Sequence, residues 1–306
     1  MNVWQPDPGE TLVARSPVAF ATGAAPQVKG MRWFRDTERN DIQHELTGWP
    51  EGPSFAARSA GGAATHKTLK GVAKVAGVAV MALFSSAGGN VSGGGVASAE
   101  NGSDVPEDAE NEVDDFPVMW AAPSTVARTL PWQLDPGRVD KKQTCTHLVV
   151  TDRRLVVVQL PVYKKEPERM EDEVIWQCRL TEVAGVVPRN FKHGGDFTIA
   201  FVDGSWCRLE SFRRRRLMRY LAPPRELIPL SSLPTQAQDA VNAFADEVRM
   251  PDSVAPNITR NPSGRLRAEI LLPSRFTSDF GASETSITIE EDGRTVEIDD
   301  YLPDDF

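Results

Sequence analysis

Leu148-Val149-Val150-Thr151-Asp152-Arg153-Arg154-Leu155-Val156-Val157-Val158 is the stretch whose reading decides the fold class. Two apolar runs rich in β-branched residues flank a short polar break, the pattern of paired strands joined by a tight turn. A second stretch repeats it: Phe197-Thr198-Ile199-Ala200-Phe201-Val202-Asp203-Gly204-Ser205-Trp206-Cys207-Arg208. There the Asp203-Gly204 step supplies the positive φ that a hairpin turn favours. Between the two, residues 174–180 alternate through Ile175, Gln177 and Arg179, and residues 183–187 add another β run. Together they predict a small antiparallel β-domain built to recognise something, with no sign of a catalyst.

Towards the N-terminus, Leu12, Ala14, Val18 and Phe20 alternate around Pro17, which has no amide for an inner ladder, so residues 10–20 read as an edge strand. Phe34, Ile42 and Leu46 fall near helical spacing and predict a helix within residues 31–46. Residues 65–86 place Val72, Val75, Ala76, Ala79, Val80 and Leu83 on one helical face, and Gly71 and Gly77 interrupt it. Each glycine costs a helix about 1 kcal/mol relative to Ala, so this one needs a partner surface. A Gly-rich run (residues 88–95) and an acidic linker follow, then a Trp- and Pro-rich segment (116–140) that reads as an ordered loop laid over the sheet.

Towards the C-terminus, residues 163–173 read as an exposed charged loop, and residues 212–221 are a basic segment stopped by Pro223-Pro224. Residues 235–249 form the best-patterned helix: Thr235 and Gln238 have capping-box spacing, and Ala237, Ala240, Val241, Phe244, Ala245 and Val248 share a face. Beyond it the chain is turn-rich. A last hairpin can form on Asp292-Gly293, but alone such a hairpin is marginal in water.

Charge and composition bound the answer further. The 306 residues carry a net charge of -9 and are 40% hydrophobic, low for a fully folded globule. Residues 104–115 hold seven acids and no base, and residues 279–306 hold ten acids against Arg294 alone. The remainder is therefore net positive, and the acidic stretches read as solvated tails. Three cysteines cannot all pair, which favours a reducing compartment. The longest apolar window, residues 75–84, falls short of the roughly 18 residues that a membrane span needs. A cytoplasmic protein is expected, peripheral at most to the inner membrane face.

Short strands, tight polar turns and then one amphipathic helix resemble bacterial pleckstrin-homology-like (PH-like) and GRAM-like domains. Residues 148–158 look like their strand-turn-strand, and Asp203-Gly204-Ser205 between Phe201 and Trp206 resembles their late hairpin. The similarity covers about residues 142–249, with residues 10–22 as a first strand split off by an insertion. It implies a mainly β (α+β) fold: a PH-like antiparallel barrel closed by the C-terminal amphipathic helix, with a long Gly/Ala-rich insertion. The expected organisation is an N-terminal segment with the first strand (1–30), the insertion (31–115), the PH-like domain (116–250) and a mobile acidic C-terminal region with one hairpin (251–306). It also implies a non-catalytic module that docks on lipid headgroups or proteins, without naming the ligand.

The residues offer two basic segments for such docking. Arg213, Arg214, Arg215, Arg216 and Arg219 suit anionic phospholipid through charge-assisted hydrogen bonds, or equally form a solvated face paired with the chain's own acids. Lys67, Lys70 and Lys74 precede the apolar helical face as in an interfacial helix, or the helix docks on its own domain or on another copy. The partner is thus an anionic membrane surface or a protein, homo-oligomers included. The acidic pI of 5.1 and the lack of a stacking motif argue against nucleic acid. Cys145, His147, Cys178 and Cys207 lack zinc-knuckle spacing, the glycine run lacks a following Lys-Ser/Thr, and no hydrolase motif occurs. No cofactor, metal or catalytic residue is expected, and Asp152 and Asp203 read as turn-shaping carboxylates.

Overall fold

The structure is a computed structural model. It describes residues 3–21, 28–29, 33–38, 40–52, 56–57, 117–140, 143–163, 165, 169, 171–189, 195–248, 255–273 and 282–305. Ahead of the signature stretch the chain forms β1 (Leu12–Pro17), β2 (Ala19–Phe20), β3 (Val28–Lys29), β4 (Trp33–Arg35), β5 (Ala56–Ala57) and β6 (Pro117–Trp120). The signature supplies β7 (Thr144–Thr151) and β8 (Arg154–Pro161), followed by β9 (Glu173–Arg179), β10 (Val183–Pro188), β11 (Asp196–Phe201) and β12 (Trp206–Glu210). Then come α1 (Arg214–Leu221), α2 (Thr235–Val248), β13 (Asn257–Arg260), β14 (Leu266–Pro273) and β15 (Ala282–Ile289).

Two sheets share one core. The first has the order β1-β7-β8-β9, and the second runs β10-β11-β12-β6-β4 with β2 added beside β12. Strand side chains alternate between faces, so Leu148, Val150, Leu155 and Val157 meet Phe197, Ile199, Phe201, Cys207 and Leu209 in a single buried cluster. Val149, Val156, Val158 and Leu160 point the other way and are buried under Val3, Trp4 and Leu12. Both faces of the first sheet are therefore apolar, which is why the signature is almost unbroken Val and Leu. β1 is an edge strand with Pro17 opposite His147. In the late hairpin Gly204 takes φ of 84°.

The fold is mainly β with two α-helices among the described residues. Among the described residues the sheets do not close into the expected barrel: two of them share one core as a sandwich, and α2 does not cap it. Instead Ala237, Val241 and Phe244 of α2 pack on Ile258, Leu266, Ala268, Ile270 and Ile289 of a third sheet, β13-β14-β15. The helix against the sandwich is α1, whose Leu217, Tyr220 and Leu221 join the sandwich core. An apolar helical face states that it needs cover, not which surface gives it.

Other expectations change in the same direction, towards more order. Residues 255–273 and 282–305, read as a mobile acidic region, are the third sheet and its closing turns. Charged Arg267 and Glu269 alternate with Leu266, Ala268 and Ile270 along β14, which is a strand period, but the turn-rich residues on both sides hide it. The Asp292-Gly293 turn does form, with Val296 bonded back to Thr288. The described residues between 33 and 46 do not form the expected helix: β4 and a 3-10 turn at Gln43–Glu45 bury Phe34, Ile42 and Leu46. The carboxylate of Asp36 turns the chain between them by accepting from the Glu38 and Asn40 amides at 2.9 and 2.8 Å. The Trp/Pro-rich segment contains β6 and two 3-10 turns, Val126–Thr129 and Trp132–Leu134. The Gly/Ala helix, the Gly-rich run and the acidic linker of residues 104–115 lie outside the described residues. Among the described residues no helix is long and apolar enough to cross a membrane.

Candidate functional site

The arginine run is split by its own helix. Because α1 packs between the sandwich and the third sheet, successive arginines meet different surroundings. Arg214 donates from Nη1 to the carbonyls of Arg189 and Asp196 at 2.5 and 2.9 Å. Burial lowers its pKa against the opposing pull of Asp196. Arg216 is buried and donates to the Arg15 carbonyl at 3.2 Å. Arg219 donates to Glu269 Oε2 at 2.6 Å. Arg213 lies half-buried with its guanidinium 5.8 Å from the Phe212 ring centre, and Arg215 is exposed. Three of the five proposed ligand-binding arginines thus make hydrogen bonds within the fold, while Lys67, Lys70 and Lys74 lie outside the described residues.

Glu269 is the centre of a junction that sequence reading missed. Its Oε2 also accepts from Arg267 Nε at 3.1 Å, and both side chains are at least nine-tenths buried. Arg225, on the connection to α2, donates to Asn261 Oδ1 at 3.0 Å. Its pKa is lowered by burial first and then by repulsion from Arg219 and Arg267. Three guanidiniums therefore surround one carboxylate.

A cleft of about 650 Å³ opens where residues 45–49 meet residues 123–133. Trp49, Trp132, Pro123 and Pro131 line it together with Arg128 and Gln133. Trp49 is held by Phe20 and Phe34, ring centres 5.9 and 5.1 Å away, and by the Arg138 guanidinium at 5.0 Å. Arg138 in turn pairs with buried Asp135. Arg128 donates from Nη1 to Glu45 at 2.8 Å and from Nε to the Ala121 carbonyl at 3.0 Å.

Asp203 pins the cleft wall to the late hairpin. Its Oδ2 accepts from the Val126 amide at 2.6 Å, and its Oδ1 from the Ser205 amide and hydroxyl at 2.9 and 2.6 Å. Burial pushes the carboxyl up, but these bonds outweigh it and the pKa is lowered. Ser124, on the cleft lip, has φ of 65°, alone among described non-glycine residues in being positive. The signal for this site was in the sequence as the Trp and Pro content of residues 116–140; Trp49 and Arg128 carried none.

The outer face of the first sheet also carries a buried polar chain, on the side of Val149 and Cys145. Arg15 grips Asp172 with Nη1 and Nη2 at 2.6 and 2.7 Å and donates from Nε to His147 Nδ1 at 3.1 Å. His147 Nε2 stands 3.9 Å from Cys145 Sγ. The loop of residues 163–173 is therefore not wholly exposed, since the Asp172 carboxylate is buried. Burial, then the Arg15 charge, holds the His147 pKa well below 6.5. Burial drives the Cys145 thiol up to about 12, although the residue as a whole is only half-buried. A nucleophilic cysteine needs a lowered pKa, whereas burial raises this one. Cys178 and Cys207 are buried free thiols, and no group of three His, Cys, Asp or Glu among the described residues is placed to hold a metal. No family model, curated protein or solved structure matches the chain.

Proposed function

We propose that the chain is a non-catalytic interaction module on a PH-like scaffold and that a protein partner seats in the cleft between residues 45–49 and 123–133. The cleft's lining carries the reading. Trp and Arg are the residue types that anchor protein interfaces, and here Trp49, Trp132 and Arg128 stand on loops held by a rigid sandwich. The scaffold reading rests on strand order: β1 with β7 to β9, then β10 to β12, then a helix, with α1 in the place the sequence assigns to α2. Substitution tests the site. Trp132→Ala is expected to abolish capture of a partner that wild type and an Arg215→Glu variant both retain; equal capture by all three would sink the proposal.

A second reading is recruitment to an anionic membrane at the cytoplasmic face. Phe212, 48% exposed, stands beside Arg213 and Arg215, a combination that suits a lipid interface. Sedimentation with phosphatidylserine-containing vesicles that Phe212→Ser and Arg215→Glu together abolish would favour it. Equal recovery with neutral vesicles would remove it.

A further inference from the structure

The closing turns of the third sheet are built inside out. Residues 297–305 form two 3-10 turns, Ile298–Asp300 and Pro303–Asp305, and the one residue they bury is Asp305. Its Oδ2 accepts from Arg265 Nη1 at 2.7 Å and from the Leu302 amide at 2.8 Å, and its Oδ1 from the Ser263 hydroxyl at 2.5 Å. The Tyr301 hydroxyl fastens the first turn by accepting from the Thr288 amide at 3.2 Å. The aliphatic side chains go the other way: Ile298 is 76% exposed and Leu302 46%. Polar bonds thus hold two aliphatic side chains in water on one ordered segment, and covering them takes a surface from outside it.

Charge says what kind of surface. Glu297, Asp299, Asp300 and Asp304 interleave with these side chains, and all four are exposed. The nearby bases Arg265 and Arg294 both answer to Glu290, at 2.8 and 3.7 Å. The patch is acidic and apolar, so its complement is basic and apolar. The same chain carries one. Phe212 is exposed at the entry to α1, with exposed Arg215 and half-buried Arg213 beside it. That turn is fixed, because the Ser211 amide donates to the Gly195 carbonyl at 3.0 Å and the Arg213 amide to Ser211 Oγ at 3.2 Å. Phe212, Ile298 and Leu302 are three of the six large hydrophobic side chains exposed among the described residues. Because all three are exposed within one copy, neither patch covers the other there; a second copy brings them together.

We propose that the chain self-associates head to tail, the Ile298 and Leu302 turns of one copy seating on Phe212, Arg213 and Arg215 of another. The aliphatic side chains pack on the Phe212 ring, and Asp299 and its acidic neighbours face the arginines. A contact between two unlike patches leaves one of each open at the ends, so assembly grows with concentration unless it closes into a ring. Three apolar side chains make a small interface, for which a dissociation constant of about 0.1 mM is the expected scale. The contact is independent of the cleft and competes with a membrane for Phe212.

Analytical ultracentrifugation of the full chain tests this with two charge reversals at exposed side chains, Asp299→Lys and Arg215→Glu. Wild type is expected to gain mass with concentration, and to associate less as salt rises from about 0.05 to 0.5 M. Each variant alone sets like charges against each other and is expected to associate about tenfold more weakly. Mixing the two variants restores association, because the intact acidic patch of one meets the intact basic patch of the other. A misfolded variant would not give that recovery. Wild type that stays monomeric up to about 1 mM, association indifferent to salt, or a mixture no larger than its parts overturns the proposal. Monomeric wild type that binds phosphatidylserine vesicles, with binding lost in Phe212→Ser, overturns it too and gives Phe212 to the membrane.

Discussion

Arg219 of α1 and Glu269 of β14 meet at 2.6 Å, with both side chains nine-tenths buried or more, and the pair joins the sandwich to the third sheet. A second tie runs from Asn257 Nδ2 to the Leu12 carbonyl at 2.9 Å. Removing one partner of a buried pair strands the other, so Arg219→Ala is expected to cost about 3 kcal/mol. Urea unfolding followed by tryptophan fluorescence and by far-UV circular dichroism checks it. The variant is expected to show an earlier transition, and to separate the two probes if the modules uncouple.

Gly293 makes the C-terminal turn possible. Its φ is 90°, and a Cβ there would stand 2.5 Å from the Gln236 carbonyl carbon and 2.7 Å from the Ala237 amide nitrogen of α2. Gly293→Ala is therefore expected to destabilise the third sheet and α2 by about 2–4 kcal/mol, through left-handed strain plus the backbone clash. Hydrogen exchange resolves it: amides of α2 and β13 to β15 should lose protection while those of β7 and β8 keep theirs.

His147 makes the sandwich acid-sensitive. Burial and Arg15 keep it neutral in the fold with its pKa well below 6.5. The unfolded chain takes up that proton near the ordinary value. The stability tied to neutral His147 is thus complete above about pH 6.5 and declines as the pH falls below it, by up to about 1.4 kcal/mol per pH unit. His147→Gln keeps an acceptor for Arg15 and removes the titration. Urea midpoints between about pH 7 and pH 5 should fall less steeply in the variant, and parallel slopes would contradict the assignment.

Asp203 fixes the cleft from outside it. Asp203→Ala removes the acceptor for the Val126 amide and the Ser205 hydroxyl, and is expected to cost about 1 kcal/mol. Because the pKa of Asp203 is lowered in the fold, its stabilisation is present above the ordinary carboxylate range and is lost as the pH falls through it. Faster exchange of the Val126 amide, with altered emission from Trp132 nearby, would show the wall loosening.

How much of this was legible depends on how local each feature is. The β7–β8 and β11–β12 hairpins were readable because strand period and turn residues lie within a dozen neighbours. β14 carries a strand's alternation among turn-rich neighbours, but its burial on both faces was not legible, since Arg267 and Glu269 read as solvated until Arg219 is known to lie opposite. α1 hid for the same reason: its arginines mask Leu217, Tyr220 and Leu221, which do the packing. Asp172 reads as loop charge until Arg15, far away in sequence, comes to it. The junction and the cleft each join distant segments, and one sequence holds no record of which distant residues meet. The Asp203 turn was foreseen, whereas its grip on Val126 needed the fold.

Site-specific photocross-linking tests the central claim, a protein partner in the cleft, most directly. A photoreactive residue replacing exposed Ser124 on the cleft lip is expected to yield one discrete protein adduct in cells, absent when the same residue replaces exposed Glu291 at the far turn, and lost on adding Trp132→Ala. Equal adducts from both positions, or an adduct at position 124 that survives Trp132→Ala, would contradict the claim.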